Sequence, residues 1–158
     1  MPALRIGLLT TSDTRTREQD TAGAALHLLC EERGWKVVVY HLVPDDFERI
    51  SEMLVGMADV EACDVILTAG GTGLGPRDVT PEATLEVCDK VVPGIGEAIR
   101  AESLAITRRA MLSRGTAAVR GRTLVVNMPG SEKAVRESFA IIADQLEHAV
   151  EMMAGGGH

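Results

Sequence analysis

Aromatic side chains are nearly missing from this 158-residue chain, which has one Trp, one Tyr and two Phe, 3% of its residues. So few cannot form the stacking platforms that grip bases, and the core must be built from the Val, Ile, Leu, Ala and Met that make up most of the 46% apolar fraction. Positive charge is sparse as well. No Lys/Arg run exceeds two residues and the formal net charge is -7, so the basic footprint of a binder of long nucleic acid is absent. A small anionic ligand can still be held locally. Cysteine is odd in number and widely spaced, at Cys30, Cys63 and Cys88, which gives neither a disulfide framework nor a zinc spacing and points to a reducing cytoplasm. The four histidines (His27, His41, His148, His158) are scattered, so structural or surface roles are expected for them and no transition-metal site. No apolar run approaches membrane-spanning length. The opening segment carries Arg5 inside its apolar stretch and lacks a small-residue cleavage site, so it reads as a strand and not as a signal peptide.

What is present is a repeated strand design. Leu4 to Thr11, Lys36 to Val43 and Asp64 to Ala69 are short apolar runs with β-branched centres, and each reads as a strand. Between them, Ala22, Ala25, Leu26, Leu29 and Cys30 share one helical face, with Gly34 as the stop, and Phe47, Ile50, Leu54 and Met57 share another. Strands alternating with helices at these lengths predict parallel pairing with helical crossovers. Further on, Thr80 is expected as an N-cap with Pro81 at the first helical position, and a second helical stretch follows Pro93-Gly94. Ser113 to Val119 and Arg122 to Met128 read as extended pieces around a turn, one of them antiparallel at the sheet edge. Ser131 caps a long amphipathic helix with Val135, Phe139, Ile142, Leu146, Ala149 and Met153 on its apolar face. The expected fold is α/β, three-layer α/β/α, with a mostly parallel, Rossmann-like central sheet. Residues 1–153 are expected to form one domain and 154–158 a flexible Gly-rich tail.

In such a sheet the ligand crevice lies outside the carboxyl ends of the strands, and those ends are rich in chemistry. The first strand runs into Ser12-Asp13, the second into Pro44-Asp45-Asp46, and the third into GGTGLGPRD, which ends at Asp78. Glycines between a strand and a helix let backbone N–H groups approach phosphate oxygens at the helix N-terminus. The loop is not a Walker A motif, because Pro76-Arg77 follow Gly75, and it also fails the dinucleotide fingerprint. Magnesium on a polyphosphate needs one or two hard oxygen ligands, for which Asp45 and Asp78 are the candidates. Against this, Asp45 can be an N-cap completed by Glu48, Asp78 a turn residue, and Asp13 an Asx-turn residue. Ser113-Arg114 suits orientation and neutralisation of a transferring phosphoryl group, or is the polar start of a surface hairpin. Pro129-Gly130-Ser131 offers another helix N-terminus on the same rim, or simple capping.

Six ordered segments together resemble the molybdopterin-binding family of MogA/MoaB type, which includes molybdopterin adenylyltransferases and the equivalent domain of gephyrin. They are TSD with DTAG (Thr11 to Asp13, Asp20 to Gly23), LVPDD (Leu42 to Asp46), GGTGLGPRDVTPEAT (Gly70 to Thr84), PGIGEAIRAESL (Pro93 to Leu104), AMLSR (Ala110 to Arg114) and NMPGS (Asn127 to Ser131). The resemblance implies catalytic roles for Asp45, Asp78 and Ser113. It further implies contacts to nucleotide or pterin phosphate from Gly70, Gly71, Thr72 and Gly73, and a place for Glu97 and Ser103 near the same pocket. The chain departs from the pattern in its first loop, Thr14 to Gln19, which is short, basic and lacks a glycine many relatives carry. The implied activity is Mg-ATP-dependent adenylylation of molybdopterin with release of pyrophosphate, in a cytoplasmic homotrimer that passes its product to a molybdate insertase. Alternatives are a non-catalytic molybdopterin carrier or scaffold of the same fold, or a generic nucleotide-binding enzyme.

Overall fold

Strand Arg5–Thr11 (β1) is buried on both faces after its first residue, and so is Val65–Ala69 (β3); this fits apolar runs that do not alternate with polar residues. Lys36–Val43 (β2) lies at the sheet edge and is only half-buried along most of its length. The computed structural model describes residues 2–156, so His158 and the end of the expected Gly-rich tail lie outside the described residues. The six strands are ordered β2-β1-β3-β6-β5-β4, with Lys90–Val91 as β4, Ala117–Arg120 as β5 and Thr123–Met128 as β6. β1 pairs in parallel with both β2 and β3, β3 pairs in parallel with β6, and β5 is antiparallel to both of its neighbours.

Helices cover both faces, because each strand sends alternate side chains to opposite sides. Ile6, Leu8, Leu67 and Val126 join Thr21–Glu32 (α1) and Glu132–Met153 (α5) in one core. Leu9, Ile66 and Val125 join Phe47–Asp59 (α2) and the start of Thr80–Val87 (α3) in the other. Pro93–Ser103 (α4) packs beside α5. The expected three-layer, mostly parallel architecture is therefore observed. The first helix stops at Gly34 as anticipated, with the N–H groups of Gly34 and Trp35 donating to the carbonyls of Glu31 and Cys30.

Four local expectations are corrected. Asp46, not Asp45, caps α2 by accepting from the Arg49 N–H at 2.9 Å; Asp45 is held elsewhere by Asp13. Thr80 is the first helical residue and not the N-cap of α3; its buried hydroxyl lies 3.2 Å from that of Thr11. The antiparallel edge is β4, a two-residue exposed strand with no pattern to read, while β5 lies one place inward. Ser113 ends a 3-10 segment, Arg108–Leu112, and regular extension begins only at Ala117. The cap correction has a measurable consequence. Asp46→Ala is expected to cost about 1 kcal/mol and lower the melting temperature by roughly 2–4 °C, which calorimetry would detect; Asp45→Ala would not cause that loss through the helix cap.

Candidate active site

From β1 the chain crosses to β2 on one side and then returns past β1 to β3 on the other, so strand order reverses between β1 and β3. The crevice opens there, at the carboxyl ends of the two strands. Gly70 follows β3 at φ +102°, so close to β1 that a Cβ would sit 2.5 Å from the Thr11 carbonyl oxygen. Gly71, at φ +70°, would place a Cβ 2.2 Å from the Thr80 hydroxyl. Both positions need glycine, for conformation and for space. The loop after β6 approaches the same point, since a Cβ on Gly130 would lie 3.4 Å from the Gly70 Cα.

On one side of this loop the carboxylates meet. The Asp13 N–H donates to Asp45 Oδ2 at 3.1 Å and the Asp45 N–H donates to Asp13 Oδ1 at 3.0 Å. Arg77 donates from Nε and Nη2 to both Asp13 oxygens at 3.0 Å, a bidentate contact. These bonds, with the Asp45 N–H in second place, hold the Asp13 carboxyl below the usual carboxylate range. Asp45 is shifted the opposite way: burial pushes its carboxyl up, and the charges of Asp13 and Asp78 push it further. Its Oδ1 is buried with no hydrogen-bond partner, although the nearby Thr11 hydroxyl, itself 3.2 Å from that of Thr80, pulls the carboxyl's pKa back down. Asp78 Oδ2 accepts from the Gly75 N–H at 2.9 Å, so the turn role occupies one of its oxygens. Ser12 Oγ accepts from the N–H groups of Thr14 and Arg15, and Arg15 reaches across to the Gly130 carbonyl at 2.7 Å.

On the other side lies a cavity of about 210 Å³ between α4, the Arg108–Leu112 segment, the end of β6 and the start of α5. Thr72, Ser103, Ser113, Asn127, Pro129 and Ser138 are among its lining residues. Its floor is held tightly: Arg100 donates to the Gly115 carbonyl at 2.6 Å, and a Cβ on Gly96 would lie 2.9 Å from the same oxygen. The Asn127 amide donates to Thr68 and Thr84, which fixes the end of β6. Ser113 Oγ accepts from the Gly115 N–H at 3.2 Å.

The chain as a whole has counterparts among known proteins. The family model "Probable molybdopterin binding domain" matches residues 7–148. The chain belongs to the molybdopterin-binding domain family. It is 35% identical to molybdopterin adenylyltransferase of Helicobacter pylori J99, over 98% of this chain and 90% of that protein. It is 44% identical to the molybdenum cofactor synthesis protein cinnamon of Drosophila melanogaster over 97% of this chain; the match spans only 26% of that longer protein. Among solved structures, the molybdopterin biosynthesis enzyme MoaB of Thermus thermophilus superposes with a TM-score of 0.90 at 46% identity, covering 98% of this chain and 99% of that one.

Within this molybdopterin-binding domain the residues singled out by sequence fall into two groups that share the glycine loop. Ser12, Asp13, Asp45 and Asp78 lie on the carboxylate side. Ser103, Ser113 and Pro129 lie on the cavity side with Thr72. A Cβ on Gly130 would meet Gly70, and Ser131 caps α5 by accepting from the Ala134 N–H at 3.2 Å. Glu97 is exposed on α4, outside the cavity lining, whereas Gly96 and Arg100 beside it do line the cavity. Arg114 is turned onto the glycine loop, with all three guanidinium nitrogens bonded to protein acceptors. Arg77 was overlooked by the sequence reading, although three carboxylates on one rim call for a counter-charge. Ser138 was overlooked too, because its spacing on α5 is that of a core-facing residue.

The carboxylate side suits a magnesium ion. Asp45 offers an unpartnered hard oxygen and Asp78 a second carboxylate nearby in charge terms. Among the described residues no cluster of three or more Asp, Glu, His or Cys could form an all-protein cage. Magnesium is commonly held in this way, by one or two carboxylates with water and substrate phosphates completing the shell.

Proposed function

We infer that this protein makes adenylylated molybdopterin, transferring AMP from Mg-ATP to the terminal phosphate of molybdopterin and releasing pyrophosphate. What carries the reading is the position of Thr72: it lines the cavity on one side and belongs to the glycine loop facing Asp45 and Asp78 on the other. A pterin in the cavity and a nucleotide on the loop would thus have their phosphates at a common boundary.

A phosphate oxygen of molybdopterin attacks the α-phosphorus of ATP; the α–β bridging bond breaks, its electron pair leaves with pyrophosphate, and a new phosphoanhydride forms. A phosphate nucleophile is already anionic, so a strong general base is not needed. Catalysis then rests on positioning and charge neutralisation. Asp45 and Asp78 would hold magnesium, which when bound neutralises phosphate charge. Ser113, which lines the cavity, orients the transferring group through its hydroxyl. Amides of Gly71 to Gly73 and the N-terminus of α5 at Ser131 supply fixed donors to the phosphates; the Gly70 N–H is taken by the Met128 carbonyl at 3.2 Å. Arg77 keeps Asp13 compensated, so the three carboxylates do not repel the substrate as an unbalanced cluster.

A cytoplasmic setting, a homotrimer and onward transfer to a molybdate insertase belong to the same proposal. No described helix is long and apolar enough to cross a membrane. Leu104, Ile106, Met111 and Leu112 are apolar, exposed and close in sequence between α4 and β5, and supply candidate surface for subunit contact.

The reading is tested by mixing the protein with molybdopterin and Mg-ATP and separating the products chromatographically. Wild type is expected to form adenylylated molybdopterin and pyrophosphate in equal amounts, and Asp78→Asn to slow this by about 10²–10³. Tight pterin binding with no ATP consumed would replace the transferase with a carrier.

A further inference from the structure

Arg114 makes more contacts with the glycine loop than any direct role toward a substrate requires. Its Nε donates to the Gly73 carbonyl at 2.8 Å, its Nη2 to the Asp78 carbonyl at 2.7 Å and its Nη1 to Glu82 at 2.5 Å. Its backbone N–H donates to the Thr72 carbonyl at 2.9 Å. One residue therefore fixes the two ends of the 72–78 segment and ties both to the first turn of α3.

The consequence lies in the amides. In a trans peptide the N–H points away from its own carbonyl, and none of the described peptide bonds is cis. With the Thr72, Gly73 and Asp78 carbonyls turned onto Arg114, the N–H groups of Gly73, Leu74 and Val79 face away from it. None of the three has an acceptor among the described residues. These amides are free to donate: those of Leu74 and Val79 are aimed by the Arg114 side chain, through the Gly73 and Asp78 carbonyls, and that of Gly73 by the Arg114 backbone N–H on the Thr72 carbonyl.

We propose that Arg114 is a positioning residue, a latch that aims the amides of the 72–79 loop at the nucleotide phosphates without touching them. Glu82 belongs to the latch because it holds the third guanidinium nitrogen. This rests on the nucleotide-dependent reading above.

Direct contact and latching predict opposite signs for Glu82→Gln. If Arg114 touched phosphate, releasing it from a competing carboxylate would tighten Mg-ATP binding. As a latch, its loosening should weaken Mg-ATP binding about 3–5-fold and Arg114→Lys about 10-fold, since an ammonium cannot span three acceptors. Arg114→Ala should reach about 30-fold. Titration calorimetry with Mg-ATP reads these losses, with molybdopterin affinity expected to change less than twofold. Amide hydrogen exchange should rise across 72–79 in the free variants while the sheet stays protected, a change that a general loss of stability would spread over the whole domain.

Tighter Mg-ATP binding by Glu82→Gln, or unchanged loop exchange in both Arg114 variants, would overturn the latch. Wild-type protein that binds Mg-ATP, shows the variant losses and yet makes no adenylylated pterin would overturn the transferase reading and leave the latch standing.

Discussion

Asp45→Asn is expected to cut adenylyl transfer by about 10²–10³ while the melting temperature at neutral pH holds or rises. The two effects share a cause. Asparagine keeps the shape of the side chain and an oxygen that can accept from the Asp13 N–H, but it removes a charge that is partly buried and faces Asp13 and Asp78. The folded protein raises the Asp45 pKa, burial being the larger cause and the Asp13 charge the next. It therefore binds that proton more tightly than the unfolded chain does. Stability from this group is fully present below the ordinary carboxylate pKa and is lost as pH rises through the raised folded value. At neutral pH the ionised carboxylate opposes folding, and the amide does not. Asp13 behaves in the opposite sense: held below its ordinary range by Arg77, it contributes stability above that range and loses it as pH falls through its folded value. Melting curves at about pH 4 and about pH 8 should show the variant's advantage only at the higher pH. A variant that lost activity and stability together at both would make Asp45 a structural residue.

How far the sequence foretold the molecule depended on the kind of signal. Strands β1, β2 and β3 and helices α1, α2 and α5 were legible to within a residue or so, because long apolar patterns average over many side chains. Caps were less legible, since they turn on single residues. In Pro44-Asp45-Asp46 either aspartate could cap α2, and what decides is that Asp13, distant in sequence, exchanges hydrogen bonds with Asp45. Thr80 likewise reads as a cap until Thr11 is seen to meet its hydroxyl. Two exposed residues, Lys90 and Val91, carry no pattern that could announce β4. The candidate positions Asp45 and Asp78 came from residue type at strand ends, and Ser113 from its place before an extended segment and from the family resemblance, but none of these signals says which atoms are free. An oxygen of Asp45 is unpartnered, while every nitrogen of the Arg114 guanidinium is taken by acceptors 32 to 41 residues away in sequence. Local spacing holds no record of such contacts.

The largest expected loss of stability is at the point where that loop leaves the sheet. Gly70→Ala should cost about 3 kcal/mol, from two separate penalties. At φ +102° a side chain is strained by roughly 1–3 kcal/mol, and the new methyl would lie 2.5 Å from the Thr11 carbonyl oxygen, an overlap worth roughly 1–3 kcal/mol in a packed interior. That oxygen belongs to the backbone of β1 and cannot rotate away as a flexible side chain could. Relief has to come from parting β1 and β3, the two strands that flank the crevice. For a chain of this length such a loss corresponds to a fall of about 6–12 °C in melting temperature, and the parting should weaken nucleotide binding as well. Gly56→Ala is the matching control, because a Cβ there meets nothing within 4 Å in the middle of α2. The same methyl should stabilise that helix by about 1 kcal/mol. Thermal melts of both variants would thus move in opposite directions; a Gly70→Ala protein that melts with wild type would mean the crevice has room to open, and that close approach of β1 and the loop does not fix its shape.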